Sequence, residues 1–215
     1  MDFGETSQIE GALAAAGRAR RFGAGDAVTQ QDMAGAHIFY ITAGQATATA
    51  YSVSGDRTWL GRFGPGDFIG EMSMLSDMPV PYEVRADTQL DVIAVPLAAM
   101  EALMDAKADI SKAVATGLAT RLHTAVQRLS EALTLSATGR VCAELTRLSV
   151  PVGSDPDRHI IRPGPVFTEL ALRVSSTRET VSRTVSRLQK IGVLSRAPGA
   201  LIIENPERLS DEINR

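Results

Sequence analysis

The chain of 215 residues is 44% hydrophobic and 22% charged with a net charge of −3, which is typical of a soluble globular protein and favours two domains. No apolar stretch approaches the roughly 18 residues that cross a bilayer, and residues 1–8 are acidic and polar, so we expect a cytoplasmic protein without a membrane partner. The single cysteine, Cys142, excludes a disulfide framework, a thiolate zinc site and a cysteine-ligated iron–sulfur cluster.

Between residues 20 and 96 the sequence predicts short strands separated by turns. β-branched and aromatic residues are concentrated in the segments 27–30, 38–42, 46–53, 59–63 and 91–95. Glycine-rich or aspartate-rich breaks at 23–26, 54–56 and 64–67 reverse the chain before a long strand can form. A β-sandwich or barrel is therefore the predicted architecture of the N-terminal part.

Helical periodicity replaces this pattern after residue 96. The sequence predicts a short helix over 96–104 and a proline-free helix over 107–133. On the long helix, small and large apolar residues recur at alternating spacings of three and four, as in a coiled-coil seam: Ala115, Leu118, Leu122, Ala125, Leu129 and Ala132. Because one small barrel cannot cover so long a seam, we favour a parallel homodimer helix over a helix that packs only on its own domain.

Residues 136–139 break the long helix and mark the expected domain boundary. Beyond it we predict helices over 140–148, 166–173 and 177–191, a polar loop over 152–165, and two strands at 193–195 and 201–204. This order is that of a helix-turn-helix followed by a two-stranded wing. Residues 137–215 carry 12 basic and 9 acidic side chains, whereas residues 1–136 carry 10 basic and 16 acidic ones. The C-terminal part is therefore the better suited to binding the phosphates of a nucleic acid.

The third of these helices presents polar groups on one face. Arg178 and Ser182 are four residues apart, as are Glu179 and Arg183, so this face carries two guanidinium groups and a carboxylate. Such groups read base edges, since arginine pairs with the two acceptors of guanine and glutamate accepts from cytosine. Hydroxyls suited to holding phosphates belong to Thr168, Thr177 and Thr180. The alternative is an exposed helix with an ordinary Glu–Arg pair.

The segment Arg178-Glu179-Thr180-Val181-Ser182-Arg183, followed by Leu188 and Gly192-Val193-Leu194, resembles the recognition helix of the CRP/FNR regulators, the cyclic AMP receptor protein and its relatives. Residues 25–28, 39–44, 66–71 and 84–86 resemble the cyclic-nucleotide-binding β-roll of that family, and Thr138-Gly139-Arg140 resembles its domain junction. The resemblance covers nearly the whole chain. It implies an α+β fold with a β-roll (a double-stranded β-helix or jelly roll) over 1–106, a dimerisation helix over 107–136 and a winged helix-turn-helix over 137–215.

The resemblance also implies a homodimeric transcription regulator that binds double-stranded DNA. Arg178, Glu179 and Arg183 would read bases of a TGTGA-like half-site, with Ser182 on the same face. Two half-sites would form an inverted repeat about one helical turn apart. RNA polymerase is the further partner that the resemblance implies, and the dimer seam would consist of Leu118, Leu122, Ala125 and Leu129.

At the effector pocket the resemblance weakens. In relatives that respond to cyclic AMP, a Gly-Glu pair holds the ribose, an Arg followed by Ser or Thr holds the cyclic phosphate, and Thr-Ser on the long helix meets adenine. Gly70-Glu71 matches the first element, but the Arg-Ser positions fall on Val80-Pro81 or Pro81-Tyr82, and the Thr-Ser positions on Ala125-Val126. We expect the pocket residues to be Gly70, Glu71, Met72, Ser73, Pro81, Tyr82, Ala125 and Val126.

These replacements make cyclic AMP an unfavourable ligand in its usual pose. A buried phosphate without a cationic partner forgoes a charge-assisted hydrogen bond of about 1.5–3 kcal/mol and must still be desolvated. Arg85 is the remaining cation, but the resemblance implies that its position supports the β-roll. The effector is therefore unknown: another ligand, no ligand, or haem bound through His37, His123 or a methionine are the open alternatives.

Two other functional classes are disfavoured. The sequence has no glycine-rich phosphate loop, no metal-spaced cluster and no nucleophile–base set, so we expect neither an enzyme nor a metal site. A cyclic-nucleotide-binding module that regulates a partner protein without DNA is disfavoured by the recognition helix. Cys142 is predicted to point inward as a small apolar residue, with a redox role as the alternative.

Overall fold

Two antiparallel four-stranded sheets form the N-terminal part of the computed structural model, which describes residues 3–153 and 155–214. One sheet has the order β1-β8-β3-β6 and the other β2-β7-β4-β5. The strands are β1 (Arg18–Phe22), β2 (Ala27–Thr29), β3 (His37–Ala43), β4 (Ala46–Tyr51), β5 (Arg57–Phe63), β6 (Phe68–Ile69), β7 (Glu83–Ala86) and β8 (Leu90–Pro96). Helix α1 (Phe3–Ala16) precedes them, α2 (Glu71–Ser76) follows β6 and α3 (Leu97–Ala106) follows β8.

Strand β3 shows how the two faces of the first sheet are used. Because alternate residues of a strand point to opposite faces, Phe39 and Ile41 enter the apolar cluster that both sheets share. Ile38 and Tyr40 enter a second cluster, to which α1, α3 and the following helix also contribute. The sheet is therefore buried on both faces, as the run of apolar residues in β3 requires.

Helix α4 (Ala108–Thr134) begins inside that second cluster, where Ile110 and Val114 are buried. Farther along it, four large apolar side chains are exposed: Leu122 by 66%, Val126 by 57%, Leu129 by 61% and Leu133 by 78%. The chain divides within this helix into two compact units, a first unit Met1–Ala125 and a second unit Val126–Arg215. None of the helices in the described part of the chain has the length and apolar character needed to span a bilayer.

The second unit combines helices with a third sheet. Its elements are α5 (Ala137–Leu148), β9 (Val150–Val152), β10 (Asp155–Ile161), α6 (Phe167–Arg173), α7 (Arg178–Lys190), β11 (Leu194–Ala197), β12 (Ala200–Ile203), α8 (Pro206–Asp211) and a 3-10 helix (Glu212–Asn214). The strand order is β11-β12-β10-β9. Buried Leu145, Leu170, Val181 and Leu188 bring α5, α6 and α7 into one apolar cluster.

The α+β architecture is confirmed, but the loop predicted over 152–165 is wrong. Residues in this segment form the end of β9 and all of β10, and β10 pairs with β12 with Ile161 opposite Leu201. The wing is thereby part of a four-stranded sheet. A short strand rich in Asp and Pro has weak local strand propensity, so only pairing with a distant segment reveals it.

Helix α1 and strands β1, β6 and β7 are also absent from the sequence-based prediction. Strand β1 is a sheet edge with four exposed residues, and charged side chains are common there because they prevent edge-to-edge association. Helix α1 has few large apolar residues, of which Ile9 and Leu13 are buried. Neither β1 nor α1 shows the apolar periodicity on which the prediction depended.

Cys142 lies on α5 with its side chain fully buried, as predicted. Burial raises the pKa of its thiol from 9.0 to about 11. Since the thiolate is the reactive form, we expect iodoacetamide at pH 8 to alkylate the native protein at least about 100-fold more slowly than the unfolded chain, corresponding to two pKa units. Mass spectrometry of timed samples, with and without denaturant, measures both rates; equal rates would contradict the burial.

Candidate nucleic-acid interface and sensor site

Helix α7 is oriented by its cap and by its buried face. Thr177 is the N-cap, and its Oγ1 accepts a hydrogen bond from the backbone N–H of Thr180 at 3.2 Å, which satisfies one of the donors left free at a helix start. One side of the helix is buried and consists of Val181, Thr184, Val185 and Leu188. Ser175 has a left-handed backbone with φ of 47°, which turns the chain between α6 and α7.

The residues predicted to read bases lie on the outward side of α7. Arg178, Glu179 and Arg183 are exposed, whereas Ser182 is half-buried. Arg183 Nη2 donates to Thr180 Oγ1 at 3.4 Å. The helix therefore presents two guanidinium groups and one carboxylate to solvent, at the spacing expected from the sequence.

The predicted phosphate-binding threonines fall into two places. Thr168 is exposed on α6 and lines a groove together with Arg178 and Ser182. Thr177 and Thr180 lie at the start of α7, with their Oγ1 atoms 3.1 Å apart. Thr168 is therefore in the groove, whereas Thr177 and Thr180 are at the start of α7, where the Thr177 side chain also caps the helix.

Arg196, on β11 of the wing, is a candidate that the sequence reasoning missed. It is exposed and lines the same groove as Thr168 and Arg178. Its guanidinium carbon lies 5.8 Å from the centroid of the Phe167 ring, a cation–π contact that restrains the side chain. The only sequence signal was a basic residue just before the Pro198-Gly199 turn.

In the first unit, Glu71 is the first residue of α2 and its side chain is only 1% exposed. Gly70 precedes it with φ of 98°, and a Cβ at Gly70 would lie 3.1 Å from the His37 carbonyl oxygen, so glycine is required there. Arg121 Nη2, on α4, donates to Glu71 Oε1. No described residue donates a hydrogen bond to Glu71 Oε2, although this atom is buried.

Arg121 is the second residue that the sequence reasoning missed. Its Nη1 also lies 3.7 Å from Asp67 Oδ1, and its guanidinium carbon lies 5.0 Å from the centroid of the Phe63 ring. Burial raises the pKa of Glu71, and the charge of Arg121 opposes this shift. The carboxylate therefore has a cationic partner that only partly offsets its desolvation.

The other predicted pocket residues are only partly gathered around Glu71. The Tyr82 hydroxyl donates to Met72 Sδ at 3.7 Å, and burial together with the nearby charge of Glu71 raises the pKa of Tyr82. Ser73 is half-buried, while Pro81, Ala125 and Val126 are exposed. The structure thus groups Glu71, Met72 and Tyr82 in one site, with Arg121 added.

The residues that remained as candidates for binding a phosphate or haem are hydrogen-bonded to other groups or exposed. Arg85 donates to the Gly25 carbonyl oxygen at 2.6 Å and to Glu83 at 2.9 Å, so it supports the β-roll, as the resemblance implied. His37 and His123 are both exposed. His37 stacks on Phe39, with ring centroids 6.2 Å apart.

Known proteins share both parts of this arrangement. Residues 19–107 match the cyclic nucleotide-binding domain, and residues 139–212 match the Crp-like helix-turn-helix domain. The regulatory protein CysR of Synechococcus elongatus is 28% identical over 188 residues, which cover 80% of this chain and 78% of CysR.

Two solved structures share the fold. The c-di-GMP-responsive global regulator CLP of Xanthomonas campestris is 22% identical with a TM-score of 0.78, covering 92% of this chain and 98% of CLP. A CRP/FNR-family transcriptional regulator of Thermus thermophilus is 20% identical with a TM-score of 0.70, covering 92% of this chain and 99% of its own. With a cyclic-nucleotide-binding domain joined through a long helix to a Crp-like helix-turn-helix, the chain belongs to the CRP/FNR family of DNA-binding transcription regulators, which are not enzymes.

Proposed function

We propose that this regulator binds DNA as a homodimer and reads an inverted repeat of TGTGA-like half-sites through α7. The observation that carries the proposal is the exposure of Arg178, Glu179 and Arg183 on the side of α7 opposite its buried residues. Arginine recognises guanine through two acceptors and glutamate accepts from cytosine. Ser182, half-buried on the same side, completes the proposed reading surface.

We propose that four residues contact phosphates around that surface: Thr168, Thr177, Thr180 and Arg196. Hydroxyls and a restrained guanidinium set the register of a protein on the duplex without reading its sequence. Arg196 supports this role because it lies on the wing, across the groove that Arg178 and Thr168 line. The α7 side chains would specify bases, and these four residues would hold the helix in place.

The exposed stripe of α4 supports a second copy of the chain as its partner. Leu122, Val126, Leu129 and Leu133 follow one another at spacings of four, three and four, the period of a coiled coil. Burying such side chains contributes about 1.5–3 kcal/mol each. Of the seam residues predicted from the sequence, Leu122, Ala125 and Leu129 are exposed, and Leu118 is half-buried against its own unit.

Cyclic AMP in its usual pose is not the effector in this proposal. The positions where the family has a phosphate-binding arginine carry uncharged Val80 and Pro81, and Val80 is buried. Arg121 would be the cation available to a phosphate, but it already contacts Glu71 and Asp67. A cyclic phosphate would have to compete with both carboxylates.

The unpartnered Glu71 Oε2 favours a ligand that donates a hydrogen bond over a permanently empty sensor. Such a donor is a hydroxyl or an N–H group of the ligand. The carboxylates of Glu71 and Asp67 would attract the partial positive charge of its hydrogen. CLP responds to c-di-GMP, so this nucleotide is the candidate effector to test here beside cyclic AMP. Constitutive DNA binding and haem binding are the alternatives; a Soret band in purified protein would reveal haem.

Arg183→Ala tests the base-reading surface. We expect a loss of about 1–3 kcal/mol in binding an operator selected from a pool of inverted repeats, together with relaxed specificity at one base pair. Fluorescence anisotropy on the operator and on its single-base variants measures both effects. Arg158→Ala, which breaks an exposed ion pair with Glu204, is the control. A loss of equal size on every sequence would instead make Arg183 a phosphate contact.

Leu129→Glu tests the dimer. A charge at the centre of a coiled-coil seam must be desolvated without a partner, so we expect a monomer in sedimentation analysis and loss of cooperative binding to the inverted repeat. Gln127→Glu adds the same charge to the same helix at an exposed position outside the stripe and should leave the dimer intact. A dimer that survives Leu129→Glu would place the interface elsewhere.

Titration calorimetry tests the effector proposal. We expect no heat of binding from cyclic AMP at micromolar concentrations, since a missing charge-assisted contact of about 1.5–3 kcal/mol weakens affinity by one to two orders of magnitude. The protein used must bind its operator, which shows that the preparation is active. Micromolar binding of cyclic AMP would contradict the proposal, and c-di-GMP titrated in parallel tests the second nucleotide.

A further inference from the structure

Glu144, on α5, is a buried carboxylate surrounded by arginines from three helices. Its side chain is 1% exposed. Arg128 Nη2 of α4 lies 2.9 Å from Oε2, Arg173 Nη1 of α6 lies 3.3 Å from Oε1, and Arg147 Nη1 of α5 also contacts Oε2. Since a buried charge is tolerated only when it is paired, this carboxylate ties the ends of α4 and α6 to α5.

The same region places guanidinium groups on the backbone of the turn between α6 and α7. Arg128 Nη1 donates to the Arg173 carbonyl oxygen at 3.0 Å. Arg140 donates through Nε to the Val174 carbonyl oxygen at 2.9 Å and through Nη2 to that of Ser175 at 3.3 Å. Carbonyl groups at a helix C-terminus lack intrahelical donors and carry the negative end of the helix dipole, so cations are favourable there.

Arg140 also connects this turn to the segment that follows α4. Its Nη1 donates to the Leu135 carbonyl oxygen at 3.0 Å. One planar guanidinium group therefore bridges three carbonyl oxygens, two in the turn and one between α4 and α5. A lysine ammonium has the same charge but not the fixed fork of donors that this geometry uses.

We propose that Arg128 and Arg140, with Glu144, are positioning residues that set the turn between α6 and α7 and thereby the direction of α7 on DNA. This rests on α7 being the DNA-reading helix, as proposed above. Because α7 begins directly after the turn, a displacement of residues 173–175 changes where Arg178 and Glu179 meet the major groove of the DNA. The contacts carry no sequence information themselves, but the base contacts depend on them.

Arg140→Met tests the proposal, with Arg147→Met as the matched control. Arg147 pairs with the same Glu144 and with Glu131, and the hydrogen bonds described for it do not reach the turn. Two quantities are measured: the ratio of affinities for the selected operator and for non-specific DNA, and the hydrogen exchange of residues 174–180 without DNA. Thermal unfolding shows that each variant is folded, and Arg140→Lys replaces Arg140→Met if the latter does not fold.

We expect Arg140→Met to lower the affinity ratio about tenfold and to speed exchange in the turn, because lost positioning weakens base contacts more than phosphate contacts. Arg147→Met should leave the ratio within about twofold of the unmodified protein. An equal fall in the ratio for both variants, or unchanged turn exchange in Arg140→Met, would overturn the proposal. If α7 does not read DNA, Arg183→Ala leaves specificity unchanged while the turn of Arg140→Met still exchanges faster, so the two failures are distinguishable.

Discussion

Each unit of this protein buries a glutamate that pairs with an arginine of α4. Arg121 contacts Glu71 in the candidate sensor site, and Arg128 contacts Glu144 beside the helix-turn-helix. The two arginines lie seven residues apart, two turns of one helix. Removing Arg121 would leave the buried Glu71 without its cationic partner, a kind of loss that costs about 3–5 kcal/mol. Glu144 would still keep Arg147 and Arg173 if Arg128 were removed. Each part of α4 is therefore held by charge within its own unit.

The two pairs differ in what they leave unsatisfied. Glu144 is contacted by three arginines through both of its oxygens, so its charge is compensated inside the second unit. Glu71 has Arg121 as its hydrogen-bond donor and a buried Oε2 without one, and burial raises its pKa despite the pairing. A compensated carboxylate suits a structural joint, whereas an incompletely compensated one suits a ligand site.

Helix α4 carries its apolar stripe in the same register as its arginines. Leu122 follows Arg121 directly, and Leu129 follows Arg128. The proposed dimer seam and the two ion pairs thus repeat with the same heptad, on adjacent sides of one helix. Pairing with a second copy would fix the rotation of α4, and the contacts of Arg128 and Arg140 would carry that orientation to the turn before α7.

The sequence alone was sufficient for features that depend on neighbouring residues. The periods of α4 and α7 and the outward spacing of Arg178, Glu179 and Arg183 follow from helix geometry, which relates residues three or four apart. The inward Cys142 is of the same kind. Strand β10 and the partners Arg121 and Arg128 depend instead on distant segments: Glu71 lies 50 residues before Arg121. An exposed polar arginine and a buried paired one look alike in a sequence, because only the tertiary structure decides which carboxylate or carbonyl stands opposite.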